Sequence, residues 1–296
     1  MSLARLPTLT QAMLNIPSDF PAYIHTLPSH ASTLKSAFSK VSALCIYYRT
    51  LASVVAFINH FTFNLKNICV SSDHQTPSTG PSIGKFCAAL ASSSSSSIRE
   101  IAILDKYHSS TTYQGLHPLG ISELRCLFRF ERLDILYLDL YCPILLDDAT
   151  LLEMSHSWPN LSRLLLKQNG DYDPASSVTP LALVRLLDRC PKLKLLALAV
   201  DFSTIDSENF DPSTVDGLCD PCRMHNRANL SELWLGSYHI KYPHAIAKFL
   251  ASLVPGRADI TMKVEGDVDY VYKKKWKLTL TYREQLLNEE GGEGKV

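Results

Sequence analysis

The sharpest local pattern in the chain is Cys219-Asp-Pro-Cys222, followed by His225. A C-x-x-C-x-x-H run could supply three zinc ligands, with His239 or His244 as a fourth. The Asp, Pro and Gly residues around it suit a metal knuckle, but a second ligand pair at regular spacing is missing. A redox C-x-x-C normally opens a helix in a thioredoxin-like setting, which these residues lack. The pattern reads first as plain loop cysteines, and no metal or other cofactor is expected. The alternative is a metal-binding or enzymatic module built around Cys219, Cys222 and His225.

Other stretches offer less. Gly80 to Lys85, "GPSIGK", has only three residues between its glycines, and Phe86 stands where a phosphate loop needs Ser or Thr. The ten histidines include no H-E-x-x-H. Asp147-Asp148 resembles a carboxylate pair, but at a helix start two acids interact favourably with the helix dipole and need no chemistry. Tyr272 to Lys277, "YKKKWK", mixes basic and aromatic residues as nucleic-acid contacts do. In a neutral chain it reads first as the solvated face of a terminal helix. An enzyme is therefore not expected.

The bulk properties agree. Lys+Arg and Asp+Glu number 29 each in 296 residues, so no global field draws nucleic acid or an anionic membrane, and neither is expected as a partner. No apolar run approaches the ~18 residues of a membrane span. The first twenty residues lack the apolar core and cleavage site of a signal peptide, which implies a cytoplasmic or nuclear setting. Most of the eight cysteines sit in apolar segments, as reduced buried thiols do. Sequons at Asn160 and Asn229 open a strand motif and are not expected to carry sugar.

The elements that would position any site repeat. "LSRLLL" places Leu161, Leu164 and Leu166 in an L-x-x-L-x-L frame that recurs at Leu193, Leu196 and Leu198 and at Leu230, Leu233 and Leu235. Earlier copies lie at Val41/Leu44/Ile46, Leu65/Ile68/Val70, Ile98/Ile101/Ile103 and Leu133/Leu136/Leu138, and a degraded one at Ile260/Met262. Successive copies are separated by between 24 residues (Val41 to Leu65) and 37 residues (Leu193 to Leu230), the range of stacked repeat units.

Helices are predicted between the strands. In "TPLALVRLLDRC", Leu183, Leu186, Leu187 and Cys190 form one apolar stripe, Thr179 caps, Pro180 opens and Pro191 stops. "DDATLLEMSHSW" starts at Asp147 or Asp148, and "PHAIAKFLASLVPG" buries Ile246, Phe249, Leu250 and Leu253. Strand, helix, strand implies parallel pairing with right-handed crossovers. A doubly wound α/β domain shares this alternation, but the sameness of the motif and the lack of a glycine-rich strand-to-helix turn favour repeats. The predicted fold is α/β, a leucine-rich-repeat-like solenoid: a curved parallel sheet with helices on its outer face. Residues 1–30 would form an opening segment, 31–288 the solenoid and 289–296 a disordered tail.

"DDATLLEMSHSWPNLSRLLL", "VTPLALVRLLDRCPKLKLLALAVDFSTID" and "SELWLGSYHIKYPHAIAKFLASLVPG" resemble the leucine-rich-repeat-like region of fungal, especially basidiomycete, F-box proteins, most specifically over residues 120–256. "AYIHTLP", Ala22 to Pro28, resembles the opening strand of such regions. The resemblance implies a repeat domain that receives protein substrates for a cullin-type ubiquitin ligase through a Skp-type adaptor. Of the family's N-terminal F-box only Leu6-Pro7 has a counterpart, so the expectation is an F-box-less relative or a fragment.

Function would then lie on the sheet face away from the core. Alternation along each strand places Cys45, Cys69, Ala102, Tyr137, Leu165, Ala197 and Trp234 there in one apolar row. Either loops cover this row, or it binds a protein partner. In the second case Tyr137, Leu165 and Trp234 would be contacts, and Tyr47, Glu100, Asp139, Arg163 and Lys167 their polar margin.

Overall fold

The computed structural model describes residues 9–20, 38–72, 78–94, 96–105, 116–168, 177–220, 227, 229–235, 240–254, 258–262 and 270–292. The chain divides into two compact units, Met1–Leu145 with Leu166–Gly170, and Leu146–Leu165 with Asp171–Val296. The fold is α/β and leucine-rich-repeat-like: among the described residues nine strands follow one another in chain order, and every registered pair is parallel.

The first unit contains β1 (Gln11–Ile16), β2 (Ala43–Tyr48), β3 (Asn67–Ser72), β4 (Glu100–Asp105) and β5 (Ile135–Leu140). Its helices are α1 (Leu51–His60), α2 (Gly80–Ser93) and the short α3 (Ile121–Leu124), which continues as a 3-10 turn over Arg125–Arg129. Leu44, Ile68, Ile101 and Leu136 are successive register partners, as are Ile46, Val70, Ile103 and Leu138. All eight are at most 2% exposed. The spacing of the leucine motif therefore equals the hydrogen-bond register. Burying one such side chain stabilises by roughly 1.5–3 kcal/mol.

One strand was missed. Ala22–Pro28, the expected opening strand, lies outside the described residues, and β1 lies earlier. Leu9, Ala12 and Leu14 fit the same frame, and Ala12 and Leu14 pair with Leu44 and Ile46. An alanine at the second core position weakens the signal. So does partial burial: Met13 is 70% exposed, and only Ile16 of this strand is buried.

The second unit contains α4 (Asp148–Ser157), the start of β6 (Arg163–Gln168, counted with the first unit from Leu166 on), α5 (Pro180–Arg189), β7 (Leu195–Leu198), β8 (Glu232–Leu235), α6 (Pro243–Leu253), β9 (Asp259–Met262) and α7 (Tyr270–Gly292). Leu164, Leu196, Leu233 and Ile260 are successive partners. Thr179 caps α5, its side chain accepting from the Ala182 amide, and Pro180 stands in the first turn. Asp147 caps α4 by accepting from the Thr150 amide at 2.7 Å. Asp148 acts differently: it accepts from both the amide and the hydroxyl of Thr179, each at 2.7 Å, and so links two successive helix starts. Ile246, Phe249, Leu250 and Leu253 are fully buried, as their spacing predicts. Residues 289–292, expected in a tail, continue α7, and 293–296 lie outside the described residues.

A backbone device recurs along the strands. The carbonyls of Thr10, Ser42, Lys66 and Arg99 each accept two consecutive amides of the following rung. Ser162 and Lys194 do the same in the second unit. Asn160 accepts from Lys192 Nζ at 2.8 Å and Asn229 donates to the Pro191 carbonyl at 2.9 Å, so both sequon side chains link neighbouring turns.

Candidate functional site

The far face of the first unit follows from the register. Cys45, Cys69, Ala102 and Tyr137 are successive partners across β2 to β5. Cys45, Cys69 and Tyr137 are partly exposed, whereas Ala102 is buried. On one margin lie Tyr47, Ser71, Leu104 and Asp139, and on the other Glu100; Tyr47, Glu100 and Asp139 are partly exposed. Two residues apart on β5, Tyr137 donates its hydroxyl to Asp139 Oδ2 at 2.8 Å. Burial and the Asp139 carboxylate both push the phenol above its ordinary value. Tyr47 is also raised, first by charge on the Cys45 thiol, to which it is hydrogen-bonded. Neither phenol would ionise near neutral pH, so both serve as donors.

In the second unit, Leu165, Ala197 and Trp234 are successive partners. Leu165 is 8% exposed and Ala197 3%, so the centre of this row is closed. Trp234 is partly exposed and Arg163 exposed. The Lys167 backbone belongs to β6, but its side chain lies outside the described residues. The far face is therefore not uniformly open: Cys45, Cys69, Tyr137 and Trp234 of the central row reach its surface, while Ala102, Leu165 and Ala197 are buried.

The motifs singled out by spacing resolve differently. Cys219 is exposed, and Cys222, His225 and His239 lie outside the described residues. His244 packs edge-on against Tyr282, with ring centroids 5.3 Å apart. Among the described residues no three His, Cys, Asp or Glu side chains cluster as a metal site. "GPSIGK" opens α2. Its glycines serve packing: a Cβ on Gly80 would fall 1.8 Å from the Pro118 carbonyl oxygen, and one on Gly84 2.8 Å from Glu123 Cγ. The same residues have the G-x-S-x-G spacing of a nucleophile elbow. Ser82 has another use, accepting from the Thr79 amide at 3.0 Å and donating to the Thr79 carbonyl at 2.8 Å as part of the helix cap. In "YKKKWK", Trp276 is 2% exposed and lies 5.7 Å from the Phe202 ring, while Lys273, Lys274 and Lys277 are exposed.

Two polar clusters escaped sequence reading because their members are distant in the chain. At the ends of β2 and β4, Asp105 accepts from the Ser78 amide at 3.1 Å and the Ser78 hydroxyl at 2.9 Å, with the Tyr48 hydroxyl at 3.5 Å. Burial raises the carboxyl, and these bonds partly offset the rise. Burial, with the Asp105 charge as the smaller cause, pushes the nearby Cys142 thiol up to about 12. In the second unit Arg227 is 1% exposed and meets Asp188 Oδ1 through Nε at 2.9 Å and through a terminal nitrogen at 2.7 Å. Its remaining bonds go to the Leu218 and Gly217 carbonyls at 2.8 and 2.6 Å. They hold the segment before Cys219 against the end of α5. Gly217, with φ 76°, supplies the left-handed turn this requires.

No helix among the described residues is long and apolar enough to cross a membrane. No family model matches the chain, and no curated protein matches it. Among solved structures, the chain is similar to the leucine-rich repeat-containing protein LegL7 from Legionella pneumophila, at 12% identity and a TM-score of 0.31 over 94% of this chain and 92% of that one.

Proposed function

We propose that the chain is a non-enzymatic protein-interaction domain, the substrate-receptor part of an F-box-type ubiquitin ligase adaptor or an F-box-less relative, acting in the cytoplasm or nucleus. The observation that carries this reading is the far face of the strands. It brings aromatic and charged side chains to the surface: Tyr137 bonded to Asp139 on β5 in the first unit, and Trp234 on β8 with Arg163 two rungs away on β6 in the second. Aromatic residues with a polar margin are the composition of interaction hot spots. The resemblance of residues 120–256 to fungal F-box proteins supplies the ligase assignment, with a Skp-type adaptor and a cullin as partners where an F-box is present in a longer product.

The test is quantitative affinity capture from a fungal lysate with the wild-type chain and with Tyr137→Ala and Trp234→Ala variants. The reading expects a protein bound by wild type, depleted at least tenfold on each variant, and ubiquitinated less in cells lacking the chain. A bound set identical for all three chains rejects the far face as the binding surface. Unchanged ubiquitination rejects the ligase role.

A further inference from the structure

The strongest unassigned chemistry lies on the helix side of the first unit, in a seam between α2 and the segment from Pro118 to Arg129. Four successive contacts run along one face of α2. Gly80 meets Pro118, its amide donating to the His117 carbonyl at 2.9 Å. Gly84 meets Glu123. Cys87 meets Cys126, the two thiols being hydrogen-bond partners. Ala91 meets Arg129, whose guanidinium donates to the Ala91 carbonyl. Steps of four, three and four residues are the spacing of one helix face. The two glycines remove the side chains that would hold the segments apart, and that approach brings the thiols together.

The two sulfurs are not equivalent. Cys87 is fully buried, and its bond to Cys126, together with that burial, pushes its thiol well up. Cys126 is partly exposed, donates to the Glu123 carbonyl at 3.4 Å, and is lowered by its bond from Cys87. An accessible thiol that ionises first beside a shielded one that ionises last is the arrangement of an attacking and a resolving cysteine.

We propose that Cys87 and Cys126 are a redox-active pair that closes to a disulfide on reaction with oxidised glutathione or a similar low-molecular-weight disulfide. The Cys126 thiolate attacks one glutathione sulfur, forming a mixed disulfide and expelling one glutathione thiolate, which takes up a proton. The Cys87 sulfur then attacks the Cys126 sulfur and passes its proton to the second departing glutathione. Two protein thiols are oxidised to one disulfide, and the glutathione disulfide is reduced to two thiols. The new bond would tie the helix before β4 to the turn before β5.

The experiment treats the folded full chain with oxidised glutathione, alkylates the remaining thiols, and maps the unreduced digest by mass spectrometry. The expected product is a peptide pair joined through Cys87 and Cys126, two hydrogens lighter than the separate peptides, with Cys142 and Cys190 still alkylatable after unfolding. Cys87→Ala should leave glutathione on Cys126. Cys126→Ser should leave Cys87 unmodified. The wild-type map needs no variant to fold. Stable glutathione on wild-type Cys126 without the cross-link, a Cys126 cross-link to another cysteine, or no reaction at either thiol would each overturn the proposal.

Discussion

Leu136 and Tyr137 are neighbours on β5, yet one is fully buried on the helix side and the other reaches the surface of the far side. The same division holds in the first unit for Leu44 against Cys45 and Ile68 against Cys69, but not for Ile101 against Ala102, both of which are buried. In the second unit it holds for Leu233 against Trp234, but fails at Leu165 and Ala197, which are buried despite facing away from the core. The lesson is that repetition constrains one side only. The core side must stack, so it repeats. The far side is free to differ, and its burial differs from rung to rung.

The largest effect should come from the helix side, where a charge is buried. Arg227→Ala leaves Asp188 without its guanidinium and two carbonyls without donors, and should lower the unfolding free energy in urea by about 3–5 kcal/mol. A loss like that of an exposed substitution would break the contrast between sides.

The next effect concerns Asp105. Removing it leaves the Ser78 amide and hydroxyl without their acceptor, so Asp105→Ala should cost about 1–3 kcal/mol. Because burial raises the folded-state carboxyl, its contribution is full below the ordinary value of 3.8 and is lost as pH rises through the raised value. Urea titrations from pH 4 upward should show this decline in wild type and a flatter profile in Asp105→Asn. Parallel profiles would mean that the carboxyl is not perturbed.

The smallest effect belongs to an exposed cap. Asp147→Ala should cost about 1 kcal/mol through loss of its bond to the Thr150 amide. Hydrogen bonding to Thr150 holds this carboxyl low, so its contribution is present above the ordinary value and fades as pH falls. A loss as large as that from Arg227→Ala would erase the expected ranking.

What was legible follows from the same division. The leucine frame predicted pairings such as Leu164 with Leu196 and Leu196 with Leu233, because a parallel register and a core stripe impose one periodicity. Thr179 and Asp147 were legible because caps are local. β1 was not, because Ala12 stands where larger residues mark the other rungs. The Asp105 and Arg227 clusters join residues tens of positions apart with no motif between them. Gly80 and Gly84 had a phosphate-loop look, but the physical demand on them is the approach of Pro118 and Glu123. Burial of Leu165 could not be read from alternation, which gives a side chain's direction but not what lies over it.

The central claim is that each strand holds the fold with one side and leaves the other for recognition. The most direct measurement is the unfolding free energy of Leu136→Ala against Tyr137→Ala. The account predicts a loss of about 2–5 kcal/mol for the first and no more than about 1 kcal/mol for the second. Equal losses from the two neighbours would contradict it.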